Sequence, residues 1–257
     1  MERFGFVGLP NAGKSSLYNA LAGGGALAAP YAFATTDPNI GIARVPDSRL
    51  CRLAKMSSST SVVPATVHFA DIGGLVEGAS QGEGLGNKFL AGIREVDAIV
   101  FVLRAFRDGE VPGDSDPVAN LGIVEVELAL ADLETAERQL DKLQRVSKGD
   151  PSVNSMVAVL SDAVALLESG VPLYRERLFE DARDELQQFS LLANKPVLAI
   201  VNMDEEQVTD PEPVLAPVRA ELEGSDVIGM CVQLEAEAAL LDEDDRAEML
   251  DGLGLGE

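Results

Sequence analysis

Cysteine, histidine and basic residues are all scarce in this sequence, and each scarcity removes a class of function. The two cysteines, Cys51 and Cys231, lie far apart with no Cys-x-x-Cys or Cys/His spacing. Neither a disulfide framework nor a zinc site is therefore expected, and both thiols are read as reduced. The one histidine, His68, falls inside a strand-like run and is read as structural. Lys and Arg number 20 against 43 Asp and Glu, for a formal net charge of -23. A field of that sign repels phosphate backbones and anionic membrane surfaces, so DNA binding and membrane association are not expected and any RNA contact must be local. No apolar run reaches the roughly 18 residues of a membrane helix. The N-terminal MERFGFVGLP lacks the basic region and long apolar run of a signal peptide. A cytoplasmic location is expected.

What is present is the pattern of a folded α/β protein. At 257 residues, 46% of them hydrophobic, the chain can bury a sizeable core and exceeds the usual length of one domain. Six β-rich runs, RFGFVG, IGIARV, ATVHFADI, DAIVFVL, KPVLAIVN and DVIGMCV, alternate with helical stretches. Several are almost wholly apolar, as strands covered on both faces of a largely parallel sheet must be. A doubly wound core follows. Between DAIVFVL and KPVLAIVN lie about ninety residues without a strand signal, too many for a simple crossover. Ile123, Val126, Leu130, Leu133, Leu140 and Leu143 keep a helical spacing there; SKGDPS interrupts it, and Met156, Leu160, Val164 and Leu167 resume it. An inserted, coiled-coil-like helical hairpin is expected, the alternative being helices that simply pad the sheet. The division expected is residues 1-118 and 193-257 for the two parts of the core, with 119-192 inserted.

The stretch GLPNAGKSS fits G-x-x-x-x-G-K-[ST] through Gly8, Gly13, Lys14 and Ser15, directly after a strand and before a helical run. Glycines let backbone N–H groups curl around phosphate oxygens, and the helix N-terminus adds positive potential. Asn11, Ala12, Gly13, Lys14, Ser15 and Ser16 are therefore the candidate phosphate-binding residues, with Lys14 on the terminal phosphates and Ser15 on Mg2+. DIGG, Asp71 to Gly74, supplies a carboxylate able to hold Mg2+ through water and, in Gly74, an N–H for a γ-phosphate. FATTDPN offers Thr35 and Thr36 as a further Mg2+ ligand, or an ordinary turn before Pro38.

These motifs, with YAFATTDPNIG, the long VPATVHFADIGGLVEGASQGEGLGNKFLAGIREVDAIV block, ELALADLETAERQL, NMDE and LEAEAALL, resemble the Obg-like ATPases, called YchF in bacteria, over essentially the whole chain. The resemblance implies a Ras-like P-loop NTPase core with a helical insertion, nucleotide hydrolysis, and partners related to the ribosome. It favours Thr35 over Thr36 on Mg2+, so that Lys14, Thr35 and Gly74 form the expected catalytic set and Ser15, Thr35 and Asp71 the metal set. Two departures stand out. Members normally continue into a C-terminal TGS domain, whereas this sequence stops at GLGLGE, which makes ribosome association less secure. Many members also carry a histidine in the loop after the FVLRAF strand, and RDGEVPGDSDP has none.

The base is read through NMDE. GTPases use N-K-x-D, whose Asp accepts two hydrogen bonds from guanine, but Glu205 stands at that place here. One extra methylene misplaces the carboxylate, and bonds to charged groups contribute about 1.5–3 kcal/mol each, so most discrimination for guanine is lost. ATP is therefore expected to be preferred over GTP, with Asn202, Met203 and Glu205 around the base and the stem of Met203 against it. Asp204 could instead read the base, or serve as a solvated turn carboxylate. Leu75 occupies the place where Ras-like proteins keep a water-orienting Gln. Slow turnover is expected, and by the resemblance K+ held near Asn11 is a second candidate cofactor beside Mg2+. Gly73, Gly74, Gly78, Gly82, Gly84 and Gly86 make the following segment permissive, as a nucleotide-sensing region or as a merely loose loop. A conventional Obg-type GTPase and an ATP-gated binding module remain alternatives. Arg138, Lys142, Arg145 and Lys148 form a basic stripe near the hairpin tip, a candidate contact for ribosomal RNA or a solvated face paired with Glu134, Glu137 and Asp141.

Overall fold

A computed structural model of the protein describes residues 2–23, 40–72, 85–176, 182–241, 245, 248 and 249. All six expected strands are present: β1 (Arg3–Val7), β2 (Ile40–Arg44), β3 (Thr66–Asp71), β4 (Ala98–Arg104), β5 (Val197–Asn202) and β6 (Asp226–Met230). They form one sheet in the order β2-β3-β1-β4-β5-β6. Only the β2–β3 pairing is antiparallel. The helices are α1 (Lys14–Gly23), α2 (Ser48–Ser57), α3 (Leu85–Glu95), α4 (Pro117–Ser147), α5 (Asn154–Glu168), α6 (Arg183–Leu186), α7 (Glu205–Thr209), α8 (Glu212–Glu221) and α9 (Val232–Ala238).

The apolar run of β4 explains the layering. Its side chains alternate between two cores. Ile99, Phe101 and Leu103 join Val7, Ile93 of α3, Leu121 and Leu128 of α4, and Leu215 of α8 on one face. Val100 and Val102 join Phe6, Leu17 of α1 and Val232 of α9 on the other. Each fully buried side chain of this kind contributes about 1.5–3 kcal/mol, so the central strands carry much of the stability.

α4 is a single helix of 31 residues, started by Asp116, whose side chain accepts from the N–H groups of Val118 and Ala119. Its first half lies in the sheet core, whereas Ala129, Ala136, Leu133, Leu140 and Leu143 pack with Leu160, Ala163 and Leu167 of α5 in a separate cluster. The packed stripe expected from spacing is corrected in its first half. Ile123, Val126 and Leu130 are exposed, while Leu121, Val124 and Leu128 are buried. The physical reason is that α4 changes partners along its length, so the face it buries rotates away from any one continuous stripe.

Two buried acids tie this helix to the rest. Glu125 accepts from both Nε and Nη2 of Arg175 at 2.8 and 2.7 Å and from the Tyr174 hydroxyl at 2.7 Å, while Nη1 of Arg175 reaches Glu221 of α8 at 2.8 Å. Removing Arg175 would leave the buried Glu125 carboxylate with the Tyr174 hydroxyl alone, a destabilising loss moderated by the partial exposure of Arg175. Asp132 is fully buried, and its two oxygens accept from Leu192 N and Ala193 N at 2.7 Å each, in the turn just before β5. Burial pushes its carboxyl up to about 7, against the opposing pull of those two N–H groups.

The sign of the resulting pH dependence is fixed by that rise. Between about pH 4 and 7 the folded chain keeps a proton that the unfolded chain releases, so the stability contributed by Asp132 is present below pH 4 and drains away as pH rises to 7. Asp132→Asn, which does not titrate, supplies the reference. Denaturation midpoints should show the wild type losing stability relative to Asp132→Asn across that window, and a constant difference would contradict the assignment.

Candidate functional site

Parallel strands β1, β4, β5 and β6 all end at one edge of the sheet, and the strand order reverses between β1 and β4, the switch point where open α/β sheets form a crevice. The loop Gly8 to Gly13 sits there. Gly8 lies so close to β4 that an added Cβ would stand 2.3 Å from the Val102 carbonyl oxygen, and Gly13, at φ +101°, would place one 2.3 Å from Asn202 Nδ2. Asn11 also takes a left-handed φ of 62°, a conformation Asn tolerates better than most residues. These constraints curl the loop toward the start of α1, whose first turn holds no acidic residue to offset its positive end. Lys14, 6% exposed, folds back so that Nζ donates to the carbonyls of Gly8 at 3.1 Å and Leu9 at 2.7 Å. Ser15 and Ser16 are exposed behind it, and Ala12 is buried.

Asn202 fixes the loop to the second half of the site. Its Nδ2 donates to the Ala12 carbonyl at 3.1 Å and its Oδ1 accepts from Val232 N at 3.1 Å. Its own carbonyl accepts from Ala105 N and Phe106 N. One buried amide thus joins the phosphate loop, the end of β4 and the start of α9. An open cleft of about 1340 Å³ lies over this junction, lined by Gly13, Ser16, Phe106, Asn202, Glu205 and Gln233 among others.

The remaining base-reading candidates separate. Glu205 opens α7 and is exposed at the cleft. Asp204 caps that helix: its side chain accepts from Gln207 N, and the Gln207 side chain returns to Asp204 N, each at 3.0 Å. Its carboxylate has the turn role. Met203 lines the cleft yet is only 1% exposed, and its methyl fills the space left by Gly229, where an added Cβ would meet it at 2.4 Å. Strand alternation turns this side chain toward the sheet core.

Thr35, Thr36, Gly73, Gly74, Leu75, Gly78, Gly82 and Gly84 lie outside the described residues, as does the side chain of Asp71. Of the expected metal set, Ser15 opens α1 and Asp71 ends β3 beside Phe6 of β1. A hydroxyl and a carboxylate are the hard oxygen donors that Mg2+ takes.

A residue not singled out by motif is Arg104, which ends the otherwise apolar β4 and is 2% exposed. Its guanidinium donates to the carbonyls of Phe106, Val111 and Pro112 at 3.3, 3.0 and 3.0 Å and lies 4.4 Å above the Phe106 ring. Asn11 Nδ2 donates to the same Pro112 carbonyl at 3.2 Å. Arg104 therefore shapes the loop walling the cleft and couples it to the phosphate loop. The available sequence signal was a lone cation ending a buried strand.

Known proteins share this arrangement. The family described as 50S ribosome-binding GTPase matches residues 3–139. The ribosome-binding ATPase YchF of Bacillus subtilis is 40% identical over 261 residues, covering 98% of this chain and 71% of the relative. The chain belongs to the YchF family. The YchF protein of Escherichia coli O157:H7, also named a ribosome-binding ATPase, is 41% identical over 259 residues with the same coverage. The solved YchF GTPase of Schizosaccharomyces pombe aligns with a TM-score of 0.82 at 32% identity, over 98% of this chain and 71% of that one. The Ras-like P-loop core expected from the motifs is thus the fold of the YchF family, whose members are nucleoside triphosphate hydrolases.

Arg104 and Lys14 should fail differently. Arg104→Ala frees the cleft wall and should weaken ATP and ADP alike, by about tenfold or 1.4 kcal/mol in calorimetry. Lys14→Ala removes a cation read as meeting the terminal phosphates and should weaken ATP more than ADP. Equal losses of the two nucleotides in Lys14→Ala would contradict its role.

Proposed function

We propose that this chain is a Mg2+-dependent P-loop NTPase of the cytoplasm that binds ATP in preference to GTP and hydrolyses the β–γ bond slowly, as a nucleotide-dependent switch linked to the ribosome. The observation that carries the base preference is Glu205, exposed at the cleft on the first turn of α7, where a guanine reader would need an aspartate. The neighbouring Asp204 is engaged in its cap and does not replace it. In this reading, Gly13, Ala12 and Asn11 cradle the phosphates, Ser16 lies beside them, and Lys14 exchanges its loop carbonyls for phosphate oxygens. Ser15, Thr35 and Asp71, the last through water, hold Mg2+, which neutralises charge developing on the phosphates. Gly74 offers its N–H to the γ-phosphate, and K+ takes the carbonyl oxygen of Asn11, whose amide nitrogen is held by Pro112. With Leu75 in place of a water-orienting Gln, intrinsic turnover is slow.

Single-turnover phosphate release with ATP and GTP, in K+ and in Na+, tests this. ATP should be cleaved faster, K+ should accelerate it, and Glu205→Asp should shift affinity toward GTP. Binding of GTP about tenfold tighter than ATP by the wild type would overturn the preference, and ATP binding without phosphate release would leave an ATP-gated binding module.

The ribosome link rests on the names borne by the YchF relatives and on the arm formed by α4 and α5, treated as an insertion, residues 119-192, between core parts 1-118 and 193-257. Arg138, Lys142, Arg145 and Lys148 are exposed at its far end. Arg138 is paired only loosely, at 3.8 Å, with a still more exposed Glu134, an arrangement that contributes little. Reversing Arg138, Lys142 and Arg145 to Glu should preserve ATP hydrolysis and abolish salt-sensitive co-sedimentation with ribosomes. Unchanged co-sedimentation would return the stripe to ordinary surface.

A further inference from the structure

β2 and β3 are antiparallel neighbours, in register from Ile40 opposite Ala70 to Arg44 opposite Thr66. A two-residue turn can join such a pair. The chain instead makes an excursion through residues 45–65 that carries α2. This helix is deliberately bounded. The Asp47 side chain accepts from Arg49 N, and Ser58, in the left-handed conformation, turns its N–H back to the Ala54 and Lys55 carbonyls. Yet none of its residues is buried. Only Leu50 and Ala54, four apart and so on one face, are half-buried, and they mark the side that rests on the domain. The outward side carries Arg49, Arg52, Lys55 and Met56, flanked by Leu53. Met56 is 83% exposed, Leu53 56% and, just after the helix, Val63 80%. The excursion does not serve the core.

Charge sets this surface apart from the rest of the molecule. Residues 44–65 hold four cations, Arg44, Arg49, Arg52 and Lys55, and one anion, Asp47, in a chain of net charge -23. Asp47 occupies only Arg49, at 2.9 Å. Arg44, Arg52 and Lys55 make no ion pair among the described residues.

We propose that the outward face of α2 docks an acidic amphipathic helix of a protein partner, its carboxylates meeting Arg52, Lys55 and Arg44 and its apolar side chains covering Met56, Leu53 and Val63. Charge complementarity selects an acidic partner, and the net acidity of the chain disfavours one over most of its remaining surface. The apolar content selects protein over RNA. No aromatic ring for stacking bases occurs in residues 44–65, and the exposed Met56, Leu53 and Val63 give a phosphate backbone nothing to pair with. Exposed Met, Leu and Val between cations instead have the anatomy of a protein interface, an apolar centre with a charged rim.

Fluorescence polarisation with the full chain tests the proposal. The probe is a labelled helical peptide of about 18 residues with Leu at i, i+3, i+4 and i+7 and Asp or Glu elsewhere. A version with Gln for every acid, a labelled oligo(U) RNA and phosphatidylglycerol vesicles are the comparators. The acidic peptide should bind, more weakly as salt rises. The pairs Arg52→Glu with Lys55→Glu, and Leu53→Ser with Met56→Ser, should each weaken it at least about tenfold, while ATP hydrolysis and far-UV dichroism stay at wild-type levels. The Gln peptide should bind no better than the charge-reversed chain binds the acidic one. Undetectable binding of the acidic peptide, binding unchanged in either variant pair, or tighter binding of RNA or vesicles that the charge reversal abolishes would each overturn the proposal.

Discussion

The site depends on one buried amide. Asn202 has a donor and an acceptor on one short side chain, and it spends them on segments that no secondary structure links: the Ala12 carbonyl of the phosphate loop and the Val232 N–H at the start of α9. Neither a carboxylate nor an apolar side chain of similar size could satisfy both, because one lacks the donor and the other lacks everything. Gly13 is constrained by the same contact, since any Cβ there would strike the amide nitrogen. The two halves of the cleft, proposed to bind phosphate and base, are therefore held in one geometry, with Arg104 extending that rigidity to the loop after β4.

The acids of α4 connect this cleft to the helical arm. Asp132 grips the turn that leads into β5, and β5 ends at Asn202. Glu125, through Arg175, reaches Glu221 at the end of α8. Both contacts are directional and mostly buried, so a displacement of the arm is resisted by the strand that carries the site. α4 is thus a long helix seated half in the sheet core and half in its own cluster.

Much of this was legible in the sequence where chemistry and chain order coincide. The strands were readable because burial on both faces makes them near-continuous apolar runs, and Gly8 to Ser16 because all its parts are consecutive. Where several partners act on one segment, legibility failed. The stripe through Ile123, Val126 and Leu130 looked packed because its spacing is helical, but α4 meets two neighbours in succession and buries different arcs against each. The motif places Met203 at the cleft but does not record that its side chain also packs in the sheet core. Arg104 works through backbone carbonyls, which any residues supply and no motif records. The turn role open to Asp204 is the one the structure displays, in the cap it forms with Gln207.

The central claim is that a single side chain couples two halves of the cleft that bind different parts of a nucleotide. Binding of adenosine and of tripolyphosphate, measured separately by calorimetry on the wild type and on Asn202→Asp, tests it directly. That substitution keeps an acceptor for Val232 N and sets an oxygen against the Ala12 carbonyl, so both ligands should bind at least about fivefold more weakly. Loss of adenosine binding with tripolyphosphate affinity unchanged would mean that the two halves are held independently, and would contradict the account.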